Sequence, residues 1–556
     1  MKKLPVILLL FLSTGLFAQN NQNQTVEEEI ELPDVTTVVN GKTFTAGKDS
    51  VPDYTQILPE NSSPEIQLPE MESVKTSKNL PENKDTSAQS GKDIYAEGEL
   101  GAGYPFYFEG DFSIYRASGS SPFEINFNHE SAEGFARKKA DEGYFTRKTS
   151  VNGKKSFIGN IVSHELTAEY KMSDDGLQLK SDSYSDSVKH TISASAGSDW
   201  KAQNGVLVSY GADGAWFNRY GEIMKNSTTT GDYADSTKVL DLNPYFGFGW
   251  QGHGFKAMLT GFYGLQANFA GNDNLLKAEG SSSSESSHRG QFKLALGWQN
   301  ETFNVGADGS LIIGTATGSK EVIPAFTGIF DFKTESFTEG RYISFSARGG
   351  LNSYQEKIRN LENKYKFSVV PAIPTETTEW FSKITLTVPV LSSFEAKTGF
   401  EFKKTAFNNG EWLCLYDEDL RISGLYVTSP DKRTEFNTNL VFSCDFETVK
   451  ASAEWKSYWK DVPSLEDAQN IKFKLEYQAS DAKWNAGTST NFAFGKNADN
   501  CPDISGWAGL RLASSLSLAF EVNDVIKLFH GTKRTYADSE YITTSGNAVL
   551  LVKFQF

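Results

Sequence analysis

The chain has 556 residues, of which 13% are aromatic, and its formal net charge at pH 7 is −16. This negative balance argues against nucleic acid or an acidic substrate as a general partner and does not identify a ligand. Beyond the N-terminal start, no apolar stretch approaches the roughly 20 residues that a membrane-spanning helix needs, so helical membrane proteins are excluded. A transmembrane β-barrel is not excluded by this test, because only every second residue of each strand faces lipid.

The N-terminus has the pattern of a secretory signal peptide over residues 1–18. Two lysines directly follow Met1, an apolar run covers Leu4 to Leu12, and a small-residue region covers Ser13 to Ala18. This order of charged, apolar and small residues is typical of an exported chain. We expect cleavage after Ala18 and no lipid anchor, since no cysteine follows that site.

Residues 19–93 differ in composition from the rest of the chain. They are rich in Glu, Asp, Asn, Ser and Pro and carry no sustained apolar period, so we expect a disordered periplasmic tail. One segment in this tail is β-prone and ends in the turn pair Asn40-Gly41; it consists of Asp34, Val35, Thr36, Thr37, Val38 and Val39. Such a segment can add a strand to the sheet edge of another protein.

From Ile94 to Phe556, apolar residues recur at every second position. Clear examples are residues 106–114, 123–128, 292–298, 394–403 and 471–478. In the closing stretch, Leu550, Val552, Phe554 and Phe556 share one face, while Lys553 and Gln555 share the other. A strand with one apolar and one wetter face suits lipid on one side and water on the other.

Charged residues occupy the second face of two of these strands. Their alternation with apolar residues predicts that they line a water-filled lumen, where their charge would set selectivity. The predicted lumen-facing residues are Glu395, Lys397, Glu401, Lys403, Lys472, Lys474 and Glu476.

The predicted fold is all-β, a transmembrane antiparallel barrel preceded by a disordered tail. The about 460 residues after the tail, at roughly 20 per strand and turn, predict about 22 strands within a range of 18 to 24. Short turns are expected on the periplasmic side and long loops outside. The predicted long loops are His129 to Lys155, Asn218 to Lys238, Asn272 to Gly290, Tyr416 to Thr434 and Asn497 to Gly506. A soluble sandwich or propeller is the alternative fold, although no fixed-period repeat supports it.

The sequence carries no diagnostic catalytic, metal-binding or cofactor-binding motif. The six histidines are dispersed without metal-ligand spacing, and no glycine-rich phosphate loop opens a helix. A rim pair such as His129-Glu130, or a lipase-like serine, would be needed for an enzyme, and neither has a supporting context. We therefore predict no enzyme, no metal and no cofactor. The cysteines are odd in number and scattered, so no structural disulfide is expected.

The C-terminus resembles that of TonB-dependent outer-membrane receptors. The residues that carry the resemblance are Leu516 to Asn523 (LSLAFEVN), Asp524-Val525-Ile526, Tyr536, Tyr541, Gly546 and the closing VLLVKFQF. The segment 34–39 is similar to the TonB box of that family, which implies TonB as a partner. The family also carries a folded plug before the barrel, whereas only about 50 low-complexity residues separate Asn40 from Ile94.

These features predict a large outer-membrane barrel that lacks a plug and passes a small solute. The lumen would be open, threaded by the tail, or plugged by a separate protein. Partners would be outer-membrane lipid and, through Phe556, the barrel assembly machinery. The alternative is a surface adhesin or structural barrel that presents its long loops.

Overall fold

The computed structural model divides the chain into two units. The described residues are 37–39, 42–44, 94–116, 120–181, 184–225, 228–269, 284–317, 322–335, 341–364, 370, 373–407, 412–416, 424–428, 432–463, 466–480, 483–495, 501–529, 531–536, 539–544 and 546–555. The units are Met1–Tyr54 and Thr55–Phe556. In the first unit, Thr37–Val39 pairs with Lys42–Phe44 as an antiparallel hairpin. The predicted signal peptide and most of the predicted tail lie outside the described residues.

The second unit contains a closed barrel of 22 strands, all paired antiparallel. The strands are β1 (Tyr95–Tyr104), β2 (Tyr107–Arg116), β3 (Phe123–Glu133), β4 (Phe145–Ile158), β5 (Val162–Gly176), β6 (Asp186–Lys201), β7 (Val206–Lys225), β8 (Thr228–Gly252), β9 (Phe255–Phe269), β10 (Ser284–Gln299), β11 (Phe303–Gly314), β12 (Ile323–Glu335), β13 (Tyr342–Gln355), β14 (Glu376–Leu391), β15 (Phe394–Phe407), β16 (Lys432–Asp445), β17 (Val449–Lys460), β18 (Gln469–Gln478), β19 (Trp484–Phe494), β20 (Asp503–Ala513), β21 (Leu516–Asn523) and β22 (Asn547–Gln555). The predicted class and strand number are confirmed.

The two faces of the barrel wall differ in polarity, because successive side chains of a strand point to opposite faces. On β10, Phe292 and Leu294 are 60% and 49% exposed, while Lys293 between them points to the other face. The same pattern of exposed apolar residues recurs on strands all around the barrel. Because the wall closes on itself, this apolar face is the outer one, and a band of this kind suits a hydrocarbon environment.

The connections sort into a short-turn end and a long-loop end. At the short-turn end, two residues link β8 to β9, β14 to β15 and β20 to β21. Two predicted loops are wrong as drawn, and the other three extend into the first residues of β10, β16 and β20. Asn218 to Lys238 falls mostly within β7 and β8, which are 20 and 25 residues long. The predicted loop His129 to Lys155 shrinks to residues 134–144, because polar residues can continue a ladder where water reaches both faces of a strand.

The barrel closes through β22, which pairs with β21 on one side and with β1 on the other. Val549 and Leu551 are almost fully buried and pack with Ala519 and Tyr107. Val549, Leu551 and Lys553 share the face of β22 that the sequence predicts to contact water. That face is therefore apolar at Val549 and Leu551 and becomes polar only at Lys553. Phe556 lies outside the described residues.

The remaining described elements lie in the connections. The helix α1 spans Ile358–Lys364, and short 3-10 turns span Ala140–Glu142, Thr315–Thr317 and Val525–Leu528. Two further hairpins join Trp412–Tyr416 to Gly424–Thr428 and Thr532–Tyr536 to Ser539–Thr544. Among the described residues, no helix is long and apolar enough to span a membrane.

Candidate functional site

The connection between β13 and β14 folds onto the inner wall of the barrel. We call its described residues, 356–364, 370 and 373–375, the inward segment. It meets the wall at β6, β7 and β8, on the face opposite to exposed Ile192, Trp216 and Leu242. The exposed residues belong to the outer face, so the segment lies on the lumen side at the long-loop end.

An apolar cluster attaches the inward segment to the wall. Ile358 and Leu361 of α1 pack against Phe217 of β7 and Val239 of β8, which are cross-strand neighbours. Ile358 and Phe217 are both 0% exposed. Burial of each such side chain stabilises the contact by about 1.5–3 kcal/mol, so the cluster holds the segment in place.

Glu362 is the polar centre of this contact and is fully buried. Its Oε1 accepts hydrogen bonds from the Thr237 hydroxyl at 2.9 Å and from the Val370 backbone N–H at 3.0 Å. Its Oε2 lies 3.7 Å from Nη1 of Arg219, and the Lys189 ammonium donates to its backbone carbonyl at 2.5 Å. Burial raises the pKa of Glu362, and the Arg219 guanidinium opposes that rise.

A second ion pair joins α1 to the wall at Asp241, four residues beyond Thr237 on β8. Arg359 Nε lies 3.0 Å from Oδ2 of Asp241. Gln266 of β9 donates to the other oxygen of Asp241 at 3.1 Å, which fixes the carboxylate. The segment is therefore held by one apolar cluster and two charged contacts.

The base of the inward segment is clamped to β10. Arg289 donates through Nε and Nη2 to the Glu376 carboxylate at 3.1–3.2 Å, and Ser353 donates to Oε1 of Glu376 at 2.9 Å. The Ile373 backbone N–H donates to Glu285 at 3.0 Å. Paired guanidinium and carboxylate groups fix orientation as well as distance, so the segment starts from a rigid base.

Other connections also meet at the long-loop end. The Gln178 amide accepts from the Ile542 backbone N–H at 3.0 Å and donates to the Ile542 carbonyl at 2.6 Å. This reciprocal pair ties the β5–β6 connection to the β21–β22 connection. Near the latter, burial raises the pKa of Asp524 to about 6, and the adjacent Lys527 ammonium opposes the shift. The mouth of the barrel is thus built from interacting loops.

The four predicted lumen residues on β15 alternate with the exposed residues Phe400 and Phe402. Lys403 lies 3.4 Å from Glu401, and Glu401 also accepts a hydrogen bond from Asn437 of β16 at 3.2 Å. All four charged side chains therefore point away from the apolar outer face of β15. The predicted residues on β15 are Glu395, Lys397, Glu401 and Lys403.

The predicted residues on β18 are Lys472, Lys474 and Glu476, which alternate with exposed Phe473 and Leu475. Lys474 lies 2.8 Å from Glu476 and 5.6 Å above the ring of Trp507. Near the short-turn end, Glu395, Lys474 and Glu476 line one cavity of about 290 Å³, together with Arg341 and Lys450. The two charged strands therefore contribute to one polar surface.

The indole ring of Trp507 packs directly over Gly487, where no side chain fits. A Cβ at position 487 would overlap the indole ring, so we expect Gly487→Val to destabilise the barrel by about 1–3 kcal/mol through overpacking. Chemical denaturation of the folded protein in detergent measures the change. Gly309→Val is the matched control, because a Cβ at Gly309 meets no atom within 4 Å. Equal stability of the two variants would contradict the packing of Trp507 over Gly487.

The box-like segment is described only in part. Thr37, Val38 and Val39 pair with the strand Lys42–Phe44, whereas Asp34, Val35 and Thr36 lie outside the described residues. The β-prone character of the segment agrees with this pairing.

The inward segment was not predicted from the sequence. Its helix has seven residues, which is too short for a reliable helical period. Ile358 and Leu361 are spaced three apart, as one helix face requires, and that spacing is the only local signal. The partner residues on the wall are about 90 to 170 positions away in the chain, so pattern alone cannot connect them.

The pair considered for an enzyme does not form a joint site. His129 lies on the outer face, where its Nδ1 is 2.8 Å from the Thr149 hydroxyl and its ring contacts Phe108. Glu130 follows it on the strand and faces the opposite side. In the part of the chain that the structure describes, no group of His, Cys, Asp and Glu could hold a metal ion.

Solved structures share this architecture, although no protein-family model and no curated protein matches the sequence. A mutant of the ferric enterobactin receptor PfeA from Pseudomonas aeruginosa aligns with a TM-score of 0.59 at 10% identity, over 84% of this chain and 81% of that chain. The FrpB iron transporter from Neisseria meningitidis aligns with 0.61 at 10% identity, over 84% and 81%. The barrel has the fold of the TonB-dependent receptors.

The copper transporter OprC shares the TonB-dependent receptor fold as well, with a TM-score of 0.61 at 11% identity over 83% of this chain and 80% of that chain. Identities this low establish the fold of the barrel. The structural likeness covers 83–84% of the chain and concerns its fold alone. The names of these similar proteins are those of a receptor for ferric enterobactin and of transporters for iron and copper.

Proposed function

We propose that the protein is an outer-membrane transporter or channel that passes a small solute through the barrel. The observation that carries this proposal is the closed wall of 22 strands, apolar outside and charged inside, with the fold of receptors and transporters that act on iron and copper. A charged, water-filled interior favours polar solutes, because it offers them paired groups in place of hydration.

The inward segment would be the narrowest obstacle at the long-loop end. It is held to the wall at β6 to β8 and clamped at β10, so a solute must pass beside it or displace it. The charges on β15 and β18 would then act on the solute farther along, where Lys397, Lys472 and Lys474 share the inner face with carboxylates. A solute would thus first displace or pass the inward segment and then be selected by the charged inner face of β15 and β18.

The remaining parts of the proposal rest on the sequence. Residues 19–93 would form a periplasmic tail after removal of the signal peptide, with the short-turn end facing the periplasm. Asp34 to Val39 would pair with TonB by strand addition.

The about 50 residues between Asn40 and Ile94 are too few and too polar for a folded plug, so the barrel would be plugless or would receive a plug from another protein. Phe556 would engage the barrel assembly machinery.

Charge reversal on β18 tests the lumen assignment. We expect the double variant Lys472→Glu and Lys474→Glu to shift the reversal potential of the reconstituted channel towards cation selectivity, because two positive charges in the lumen become negative. The measurement is the reversal potential in a potassium chloride gradient across a planar bilayer.

Lys155→Glu supplies the control for this experiment. Lys155 shares the outer face of the barrel with Phe157, and its ammonium lies 4.9 Å from that ring. The control should fold and leave selectivity unchanged. If the β18 double variant conducts with the selectivity of the original protein, β18 does not line the pathway.

A surface adhesin is the second candidate. The hairpins Trp412–Tyr416/Gly424–Thr428 and Thr532–Tyr536/Ser539–Thr544 lie in long connections of the same end, and strands of the two hairpins contact each other. Loops on a rigid scaffold present binding residues readily. Whole-cell binding to host surfaces that vanishes when these hairpins are trimmed, combined with no conductance, would favour this function.

A further inference from the structure

We propose that the Glu362 carboxylate occupies an oxyanion-binding pocket of the inner wall, and that a carboxylate or phosphate group of the solute competes with Glu362 for that pocket. Arg219 and Thr237 contact the carboxylate, and the Lys189 ammonium lies beside it, where it donates to the Glu362 backbone carbonyl. This inference deepens the proposed function and rests on it, since it names the chemistry of the solute and the step that moves the inward segment.

The pocket has the donors that an oxyanion requires. Arg219 and Lys189 are cross-strand neighbours on β7 and β6, and Arg219 is likewise opposite Thr237 on β8. All three side chains are at least 95% buried. A guanidinium, an ammonium and a hydroxyl on one wall can donate several hydrogen bonds to an oxyanion, and charge-assisted bonds are the strongest of this kind.

Glu362 fills this pocket incompletely. The closest approach of its carboxylate to Arg219 is 3.7 Å, which is beyond ordinary hydrogen-bond length. In the described part of the chain, its Oε2 has no hydrogen-bond partner. Burial of a carboxylate without a close bidentate partner is costly. A free oxyanion, which is not tied to a helix, can approach the guanidinium closely and bond to it through two oxygens.

Displacement of Glu362 would also release the inward segment. The same Oε1 that accepts from Thr237 accepts from the Val370 backbone, so one carboxylate links the wall, α1 and the return of the connection. An oxyanion that binds better when Glu362 has left the pocket necessarily favours the released state. Recognition of the solute and widening of the lumen then become one event.

Isothermal titration of the full-length protein in detergent with acetate and with inorganic phosphate tests the pocket. We expect both or one of them to bind the unaltered protein, roughly tenfold tighter binding to Glu362→Gln because the competing charge is gone, and no binding to Arg219→Gln. Preference for one probe identifies a carboxylate or a phosphate solute. Arg348→Gln on β13 removes an exposed cation that is not part of this pocket; it controls for the loss of one positive charge and should bind like the unaltered protein.

A second variant keeps the test decisive if Arg219→Gln does not fold. Thr237→Val removes only one hydroxyl donor and should weaken binding about threefold to tenfold. Absence of binding in the unaltered protein and in Glu362→Gln, or equal affinity in all variants, would overturn the proposal. Bilayer conductance, measured in parallel, separates the pocket hypothesis from the proposed function. Channels without oxyanion binding refute the pocket alone. Absence of channels refutes the proposed function.

Discussion

Ile358→Asp is expected to raise the unitary conductance of the reconstituted barrel. Ile358 is fully buried between α1 and the wall, where it packs with Phe217 and Val239. An aspartate there loses the apolar contact and places an unpaired carboxylate in an apolar site, at a cost of at least about 3 kcal/mol. The inward segment would then leave the wall, and more of the lumen cross-section would carry current.

The conservative change Ile358→Val is the control for this experiment. It removes one methylene and costs only about 0.5–1.5 kcal/mol, so the segment should stay docked and the conductance should match that of the unaltered protein. Single-channel recordings in planar bilayers compare the three proteins at the same salt concentration. A folded Ile358→Asp barrel with unchanged conductance would show that the inward segment does not limit the pathway.

Deletion of residues 547–556 is expected to prevent formation of the barrel. β22 closes the wall by pairing from Ala548 to Gln555 with β1 and from Asn547 to Phe554 with β21. Without it, both neighbours present unpaired N–H and C=O groups, and each such group costs several kcal/mol in hydrocarbon. Migration of unheated and heated samples in detergent gels and far-ultraviolet circular dichroism report the loss of the closed barrel.

Deletion of residues 19–93 provides the comparison. Barrel closure involves only residues from Tyr95 onward, so this variant should keep the heat-modifiable migration and the β-sheet spectrum of the full-length protein. A closed barrel without β22, or loss of the barrel when only the tail is removed, would contradict the closure described here.

The barrel itself was predictable because its signal is local. Alternation on β10, β15 and β18 reports the two faces of each strand, and chain length divided by the length of a strand and its turn gives the strand number. Loop bounds were less accurate. Asn218 to Lys238 lacks the apolar contrast of the membrane band, since it continues a ladder beyond that band, and polar composition was therefore interpreted as a loop.

The site was less predictable, for a different reason. The charges on β15 and β18 could be assigned to one face, because a strand repeats every two residues. The contact of Glu362 with Arg219 and Thr237 joins residues 143 and 125 positions apart in the sequence, and no periodicity encodes such a pairing. It depends on how a connection between strands folds back, and that is decided by tertiary packing.

The measurement that tests the account most directly is the conductance of the full-length protein in planar bilayers, recorded beside the variant that lacks residues 19–93. We expect stable channels from both proteins, because the wall is closed and its inner face is charged, and because the proposed function has no plug in the lumen. Channels from the truncated variant alone would contradict the plugless lumen. Silence from both, with barrel folding confirmed, would contradict the transport function itself.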